Sequence, residues 1–271
     1  MTRPAGATGR ELLIGFSFKM YFGYQQTLDW CVRAREIALA NPALAAGRVR
    51  LFAIPSYPCL PTVLEIFRGT PIEVGAQNLH FEDGGPFTGE VGGPMLAEMG
   101  CTMVEVGHAE RRLLFGETDE IVSLKVASAI RNGLRPLICV GEQEKVSAAV
   151  ACRESNRQLA AALATAAPSA PVVVAYEPLW AIGADHPATE VHIAEVCQGL
   201  RSRLASARPH AADRVIYGGS AGPGLLARLG AAADGLFLGR YVHDVNVLEV
   251  VLDEAGRISG SANRRQTGRL L

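Results

Sequence analysis

A (β/α)8 barrel is the fold that the sequence predicts for this chain of 271 residues. Short runs rich in β-branched and other apolar residues recur eight times, and most are apolar almost throughout. Strands that are buried on both faces of a parallel sheet have this composition. Stretches with helical spacing lie between the runs, while Gly and Pro cluster at the ends of these units. A strand followed by a helix, eight times in about 250 residues, is the pattern of this barrel.

The predicted elements follow one another in a regular order along the chain. The strands are expected at 12–18, 49–53, 72–76, 102–106, 135–140, 172–176, 214–217 and 235–238. Helical spacing is clear at 28–39, 122–130 and 191–204, and the Ala-rich stretch 142–166 predicts a long helix on propensity alone. An open doubly wound sheet is the alternative fold. The segment after the first strand, 19–23, lacks the Gly-rich turn that is usual in that fold.

One domain is expected, because no linker of mixed Pro, Ser and charged composition divides the chain. The barrel domain would cover residues 11–254. A flexible N-terminal extension over residues 1–10 and a basic C-terminal tail over residues 255–271 would flank it.

Composition and charge exclude several classes of protein. Lys and Arg number 26 against 27 Asp and Glu, and a net charge of −1 argues against a dedicated nucleic-acid binder. No apolar run approaches the roughly 20 residues of a membrane span, and the polar start has no signal-peptide core. The six cysteines are scattered singly, without the close spacing of metal ligands or redox dithiols. We therefore expect a cytoplasmic protein with free thiols, no metal site, and no nucleic-acid or membrane partner.

The candidate chemistry lies where barrel enzymes carry their active sites, at the C-terminal ends of the strands. Lys19 follows the first predicted strand, His108 the fourth and Glu177 the sixth. Gly-rich turns follow strands seven and eight, where exposed backbone N–H groups typically bind a phosphate. A cation, an imidazole and a carboxylate around one mouth indicate an acid/base enzyme that acts on a small phosphorylated substrate.

Sequence motifs in the same places resemble those of the triosephosphate isomerase family. The strings GHAERR, CVGE, YEPLWAIG, YGGS and DGLFLG stand in order at strands four to eight. VGAQN follows strand three, and GPFTGE lies shortly after it. The resemblance extends from about residue 12 to residue 252, and it implies the barrel fold and an isomerase activity.

The resemblance also implies roles for individual residues. Glu177 would remove a proton from the carbon next to the carbonyl and return it to the neighbouring carbon. His108 would move protons between the two enediol oxygens, and Lys19 would stabilise the enediolate electrostatically. This proton transfer needs no metal and no organic cofactor. Contacts with the substrate and its phosphate are implied at five further positions: Ser17, Gly183, Ser220, Gly239 and Arg240.

Three functions follow from these motifs. The first expectation is interconversion of dihydroxyacetone phosphate and glyceraldehyde 3-phosphate, with a place in glycolysis and gluconeogenesis. The alternative is a tetrulose-phosphate isomerase that interconverts L-erythrulose 1-phosphate and D-erythrulose 4-phosphate. Ser17 stands where the family normally has an asparagine, and Arg240 replaces a glycine; both resemble that branch. A catalytically silent binding paralogue is the third, although Lys19, His108 and Glu177 are all present.

Two loops carry further expectations. Residues 178–188 resemble the family's mobile lid, but 184–187 read Ala-Asp-His-Pro where Thr-Gly-Lys-Thr is usual. Because Pro187 restricts the backbone of the lid's trailing end, altered closure kinetics are expected. The loop 81–94 resembles the segment that family members insert into a neighbouring subunit, which predicts a homodimer.

Overall fold

Eight parallel strands close into a barrel in the computed structural model, which describes residues 11–167, 170–208, 210 and 212–267. Each strand pairs with the next one along the chain, and the first pairs with the last. The strands are β1 (Leu12–Ser17), β2 (Val49–Ile54), β3 (Ile72–Ala76), β4 (Met103–Val106), β5 (Arg135–Val140), β6 (Val173–Tyr176), β7 (Arg214–Tyr217) and β8 (Gly235–Leu238). The predicted single-domain (β/α)8 barrel is confirmed.

Helices surround the barrel and connect its strands. They are α1 (Tyr24–Ala40), α2 (Pro42–Ala45), α3 (Leu60–Ile66), α4 (Gly93–Met99), α5 (Ala109–Phe115), α6 (Asp119–Arg131), α7 (Ala148–Ala162), α8 (Glu190–Ala207), α9 (Leu225–Leu229) and α10 (Val245–Thr267). The boundary expected between barrel and tail, at 254/255, falls inside α10. The expected extension 1–10 and the end of the tail, 268–271, lie outside the described residues. Across the described helices, none is both long and apolar enough to cross a membrane.

The Ala-rich stretch after β5 departs from its prediction. A helix was expected over 142–166, but α7 begins only at Ala148 and ends at Ala162. The side chain of Ser147 accepts a hydrogen bond from the Val150 N–H, which caps the start of this helix. Upstream, the Glu142 side chain is held by Tyr176 and Trp180. Tertiary contacts therefore override the helix propensity of residues 142–147.

Side chains alternate between two apolar layers along each strand. One layer packs between the strands and the helices, and the other fills the barrel itself. Gly15 faces that interior, where an added Cβ would lie 1.9 Å from the Phe52 ring. Because the interior below the strand ends is filled, a substrate can enter only at the C-terminal mouth. The interior is formed by Leu13, Phe52, Ile54, Met103, Leu137, Cys139, Val173, Ala175, Ile216 and Phe237.

Candidate active site

A cavity of about 320 Å³ opens at the C-terminal ends of the strands. The loops after β1, β4, β6, β7 and β8 contribute to its wall. The structure thus brings together groups that are far apart in the chain. All eight residues selected from the sequence line this cavity: Ser17, Lys19, His108, Glu177, Gly183, Ser220, Gly239 and Arg240.

Lys19 is held in a strained backbone conformation beside the cavity. Its φ of 48° is the only positive value among the described non-glycine residues. The Lys19 carbonyl accepts hydrogen bonds from Ser56 Oγ (3.0 Å) and Gln77 Nε2 (2.9 Å), which fix this conformation. Lys19 Nζ donates to Glu110 Oε1 at 2.6 Å. Burial alone would lower the pKa of Lys19, but Glu110, Glu177 and Glu105 together raise it, so the side chain stays cationic.

His108 caps the first turn of α5, and this position determines its protonation. Its Nδ1 accepts a hydrogen bond from the Glu110 N–H at 3.1 Å, so the ring proton must lie on Nε2. Burial, followed by the charge of Lys19, lowers the pKa of His108 to about 4. The ring is therefore a neutral imidazole whose Nε2–H lies 3.5 Å from Glu177 Oε2, without a hydrogen bond between them.

Glu177 directly follows β6, and only 3% of its surface is exposed. The backbone at Gly218 approaches so closely that an added Cβ would lie 2.7 Å from Glu177 Cγ. Oε2 of Glu177 is buried and has no hydrogen-bond partner. Burial, followed by the negative charge of Glu105, raises the pKa of Glu177 to about 8. A carboxylate that is poorly solvated and weakly hydrogen-bonded is a strong base for a proton on carbon.

The opposite wall contains the expected phosphate contacts and the lid, residues 178–188. Ser220 Oγ donates to the Ala184 carbonyl at 2.8 Å, and the Arg240 guanidinium donates to the Gly183 carbonyl. The side chain of Arg240 therefore lies against the lid at the mouth of the cavity. Gly239 lines the wall next to it.

Two buried carboxylates that belong to the site had not been selected from the sequence. Glu142 accepts hydrogen bonds from Trp180 Nε1 (2.8 Å) and Tyr176 OH (3.0 Å), which ties the leading end of the lid to β6. Glu105 lies in the middle of β4, inside the barrel, and is 4% exposed. A charged residue two positions after the inward-facing Met103 was a recognisable pattern, because period-2 alternation places it in the interior.

Glu105 is close to three residues of the predicted site. Its carboxylate accepts a hydrogen bond from Ser17 and lies 3.9 Å from His108 Nε2. Burial raises the pKa of Glu105 to about 7, while Lys19 and the Ser17 hydrogen bond oppose that rise.

The same cluster offers ligand atoms of a kind that metal ions bind. One atom each from Glu105, His108 and Glu177 lies within 4.8 Å of the others. The positive charge of Lys19 lowers the pKa of both Glu105 and Glu177, and it would repel a metal cation bound between them. The arrangement is better suited to moving protons: it provides a carboxylate base, a neutral N–H donor and a fixed positive charge around one space.

Comparison with known proteins agrees with this chemistry. The profile of the triosephosphate isomerase family matches residues 12–255. A protein of Pectobacterium atrosepticum named L-erythrulose-1-phosphate isomerase is 52% identical over 258 residues, which cover 94% of this chain and 100% of the relative. A protein of the same name from Rhizobium etli is 41% identical, and the match covers 94% of this chain and 96% of the relative. One from Brucella abortus is also 41% identical, and that match covers 86% of this chain and 91% of the relative.

These names correct one prediction from the sequence. The first expectation, a triose-phosphate substrate, is wrong, because the relatives carry the name of the four-carbon alternative. The family match and the near-complete coverage leave the assignment of family and reaction type intact. The chain belongs to the triosephosphate isomerase family and is an isomerase.

Proposed function

We propose that this isomerase interconverts L-erythrulose 1-phosphate and D-erythrulose 4-phosphate. L-Erythrulose 1-phosphate is dihydroxyacetone phosphate with one hydroxymethyl group added to the carbon that loses the proton. The observation that carries the proposal is Ser17, which lines the cavity beside Lys19 where the family normally has the longer asparagine. A serine leaves room for the added group and offers it a hydroxyl. The names of the relatives support the same substrate.

The proposed reaction moves one proton between adjacent carbons. Glu177 removes the proton from C3, next to the C2 carbonyl, and the resulting enediolate places negative charge on the C2 oxygen. The His108 Nε2–H donates to that oxygen, while Lys19 stabilises the developing charge. His108 passes its Nε2 proton to the C2 oxygen and takes up the proton of the C3 hydroxyl, so the imidazole regains its starting form. Glu177 then returns its proton to C2, and the carbonyl forms at C3. The number of atoms and electrons is unchanged, so no co-reactant is required.

The phosphate would bind at the wall formed by Gly183, Ser220, Gly239 and Arg240. A guanidinium has five N–H donors, and the bond to the Gly183 carbonyl leaves others for phosphate oxygens. Arg240 would then join the lid to the ligand that the lid covers. A closed lid excludes water, which protects the enediolate from loss of phosphate.

The test compares both sugar phosphates at matched concentration. Deuterium incorporation from D2O at the reacting carbons, followed by NMR, measures proton transfer on either substrate without coupling enzymes. We expect kcat/KM to be higher for L-erythrulose 1-phosphate. Ser17→Asn should shift the ratio toward dihydroxyacetone phosphate by roughly tenfold or more, because it fills the space for the hydroxymethyl group. Preference of the unaltered enzyme for the triose phosphate contradicts the proposal.

We also propose that the enzyme is a homodimer in a reducing compartment such as the cytoplasm. Phe87, in the loop 81–94, is 38% exposed, and apolar side chains of α4 and α5 are exposed as well. Exposed apolar side chains on consecutive elements of one barrel are typical of a subunit interface. All six cysteines are free thiols, which suits a reducing compartment. The exposed apolar residues of these two helices are Met95, Leu113, Leu114 and Phe115.

A further inference from the structure

Glu105 is the feature of the site that the mechanism does not use. It does not line the cavity, and it lies in the apolar interior of the barrel on the strand that leads to His108. Burying a carboxylate among apolar side chains costs free energy unless it is well paired. Among the described residues no cation is hydrogen-bonded to Glu105, and the positive charge that acts on it is the more distant one of Lys19. A costly group beside a catalytic cluster points to a functional role.

The contacts of Glu105 show what that role is. Ser17 donates its hydroxyl proton to the Glu105 carboxylate. A serine hydroxyl has one proton and two acceptor lone pairs, so the oxygen that faces the cavity can only accept a hydrogen bond from a ligand. Cys139 Sγ lies 3.9 Å from Glu105 Oε1, and its S–H is only a weak donor.

We infer that Glu105 is a positioning residue that sets the selectivity of the site for the four-carbon sugar, because it fixes the Ser17 hydroxyl as an acceptor for the substrate's terminal hydroxymethyl group. This inference rests on the proposed function. Dihydroxyacetone phosphate lacks that hydroxymethyl group, so the contact would contribute to binding of the tetrulose phosphate alone. Discrimination by a buried, pre-oriented hydrogen-bond partner is stronger than discrimination by space.

The closing experiment separates selectivity from general damage to the site. In Glu105→Gln the acceptor oxygen and the side-chain shape are kept, but the amide can donate to Ser17 and release its hydroxyl. We expect kcat/KM for L-erythrulose 1-phosphate to fall roughly 10- to 100-fold, mainly through a higher KM. The inhibition constant of dihydroxyacetone phosphate as a competitor should change less than about threefold. Ser17→Ala should produce the same pattern.

Coupling between the two residues is the second readout. If Glu105 acts through Ser17, the double variant Ser17→Ala/Glu105→Gln should lose no more selectivity than either single variant. Glu117→Gln is a matched control, because Glu117 is also a buried carboxylate but is bonded to Arg111 and Lys125 and does not line the cavity. We expect this control to affect both sugar phosphates equally.

The dependence of kcat/KM on pH is a further test, because it would not change if Glu105 only supported the fold. Removing the charge of Glu105 should shift the acidic limb of kcat/KM to lower pH, because that charge raises the pKa of Glu177. The ionisable groups that act on this pair lie after β1 and β4 and within β5: Lys19, His108, Glu110 and Cys139.

Three outcomes overturn the inference. Equal losses with both sugar phosphates, or additive losses in the double variant, would show that Glu105 merely supports the fold while the proposed function stands. An acidic limb unchanged in Glu105→Gln, together with unchanged selectivity, has the same consequence. A preference of the unaltered enzyme for dihydroxyacetone phosphate would overturn the proposed function and this inference together.

Discussion

Glu177 is the residue on which the proposed chemistry depends most directly. Its buried Oε2 has no hydrogen-bond partner, and the approach of Gly218 leaves no space for water beside its stem. Such an environment destabilises the charged carboxylate, which makes it a stronger base. The same environment costs folding free energy, so the residue serves activity at the expense of stability.

Replacing Glu177 by Gln tests this directly. The amide keeps the shape of the side chain but cannot accept a proton from carbon, so we expect kcat to fall about 10²- to 10⁴-fold. The melting temperature should stay equal or rise, since a buried carboxylate with a raised pKa is removed. Steady-state kinetics and a thermal melt check both parts. A fall in kcat of less than about tenfold would mean that another group is the base.

A second prediction for a single residue concerns Glu105 and how it changes the stability of the protein with pH. Burial raises its pKa from 4.5 to about 7, so the folded state binds more protons than the unfolded state between these values. The wild-type protein therefore loses stability from this group as the pH rises through that window, and the loss is complete above about pH 7.

In Glu105→Leu the pH-dependent loss of stability that this carboxylate causes should disappear. The free energy of unfolding of the variant, relative to wild type, should increase from pH 4.5 to pH 7 by roughly 1–3 kcal/mol and then level off. Urea denaturation at several pH values measures it. A difference that does not depend on pH would show that Glu105 has an ordinary pKa in the folded protein.

At the scale of elements, the lid is tied down at both ends by different neighbours. Its leading end is a short 3-10 helix, Leu179–Ala181, whose Trp180 binds Glu142. Its trailing end is held where the Ala188 N–H donates to Tyr217 OH at 3.2 Å. Pro187 directly precedes that anchor, and a proline restricts the conformations that the trailing end can adopt.

The variant Pro187→Thr should therefore change the motion of the lid. We expect larger exchange contributions on the μs–ms timescale at residues 178–188, because threonine restores backbone conformations that proline excludes. NMR relaxation dispersion of the backbone amides measures this exchange. Indistinguishable dispersion profiles for the variant and the parent would remove the proposed effect of Pro187.

Arg240 links the lid to the loop after β8. In Arg240→Ala the guanidinium that binds the Gly183 carbonyl is lost, together with its expected contact with the phosphate. We expect KM to rise roughly 10- to 100-fold, as for loss of a charge-assisted hydrogen bond. Arg228→Ala is the matched control, since Arg228 pairs with Glu190 on the exposed surface and should leave KM unchanged. A normal KM in Arg240→Ala would place its side chain outside the substrate contacts.

On the scale of the whole molecule, the loop 81–94 connects the barrel to its proposed partner. Within the chain it is held by Asp83, which accepts hydrogen bonds from Arg131 and Asn132, so the loop keeps a defined shape. The Phe87 ring lies against the His80 ring at a tilt of 33°, with 4.1 Å between ring centroids, yet Phe87 remains 38% exposed. Hydrogen bonds within the chain give this loop a defined shape, and an apolar side chain is exposed on its surface. Such a loop is suited to binding a second copy of the protein.

Phe87→Glu should shift the protein toward the monomer. A charge in the centre of an apolar interface is costly to desolvate, so we expect the dimer dissociation constant to rise at least about 100-fold. Sedimentation velocity over a range of concentrations measures it. Lys145→Glu, a substitution on the loop before α7, is a surface control that should leave the association unchanged. A wild-type protein that remains a monomer at all concentrations would contradict the proposed homodimer.

Much of the fold could be predicted from the sequence, because the properties that specify it are local. The strands β3, β5, β7 and β8 have their predicted bounds, and the others differ by one residue at an end. Helix propensity failed at 142–147, where Glu142 is drawn into contacts with Tyr176 and Trp180 from later in the chain. Propensity describes a segment by itself and cannot include such partners.

The sequence by itself determined the barrel and its C-terminal mouth, because strand periodicity and strand-end position follow from neighbouring residues alone. Strand-end position and motifs that resemble the family then indicated eight site residues, all of which line the cavity. Only the tertiary structure decided which partners these residues have. It places Glu105 beneath Ser17 and His108, and it directs Arg240 toward the lid. Closure of the barrel brings distant strands side by side, and burial there sets the pKa values on which the chemistry depends.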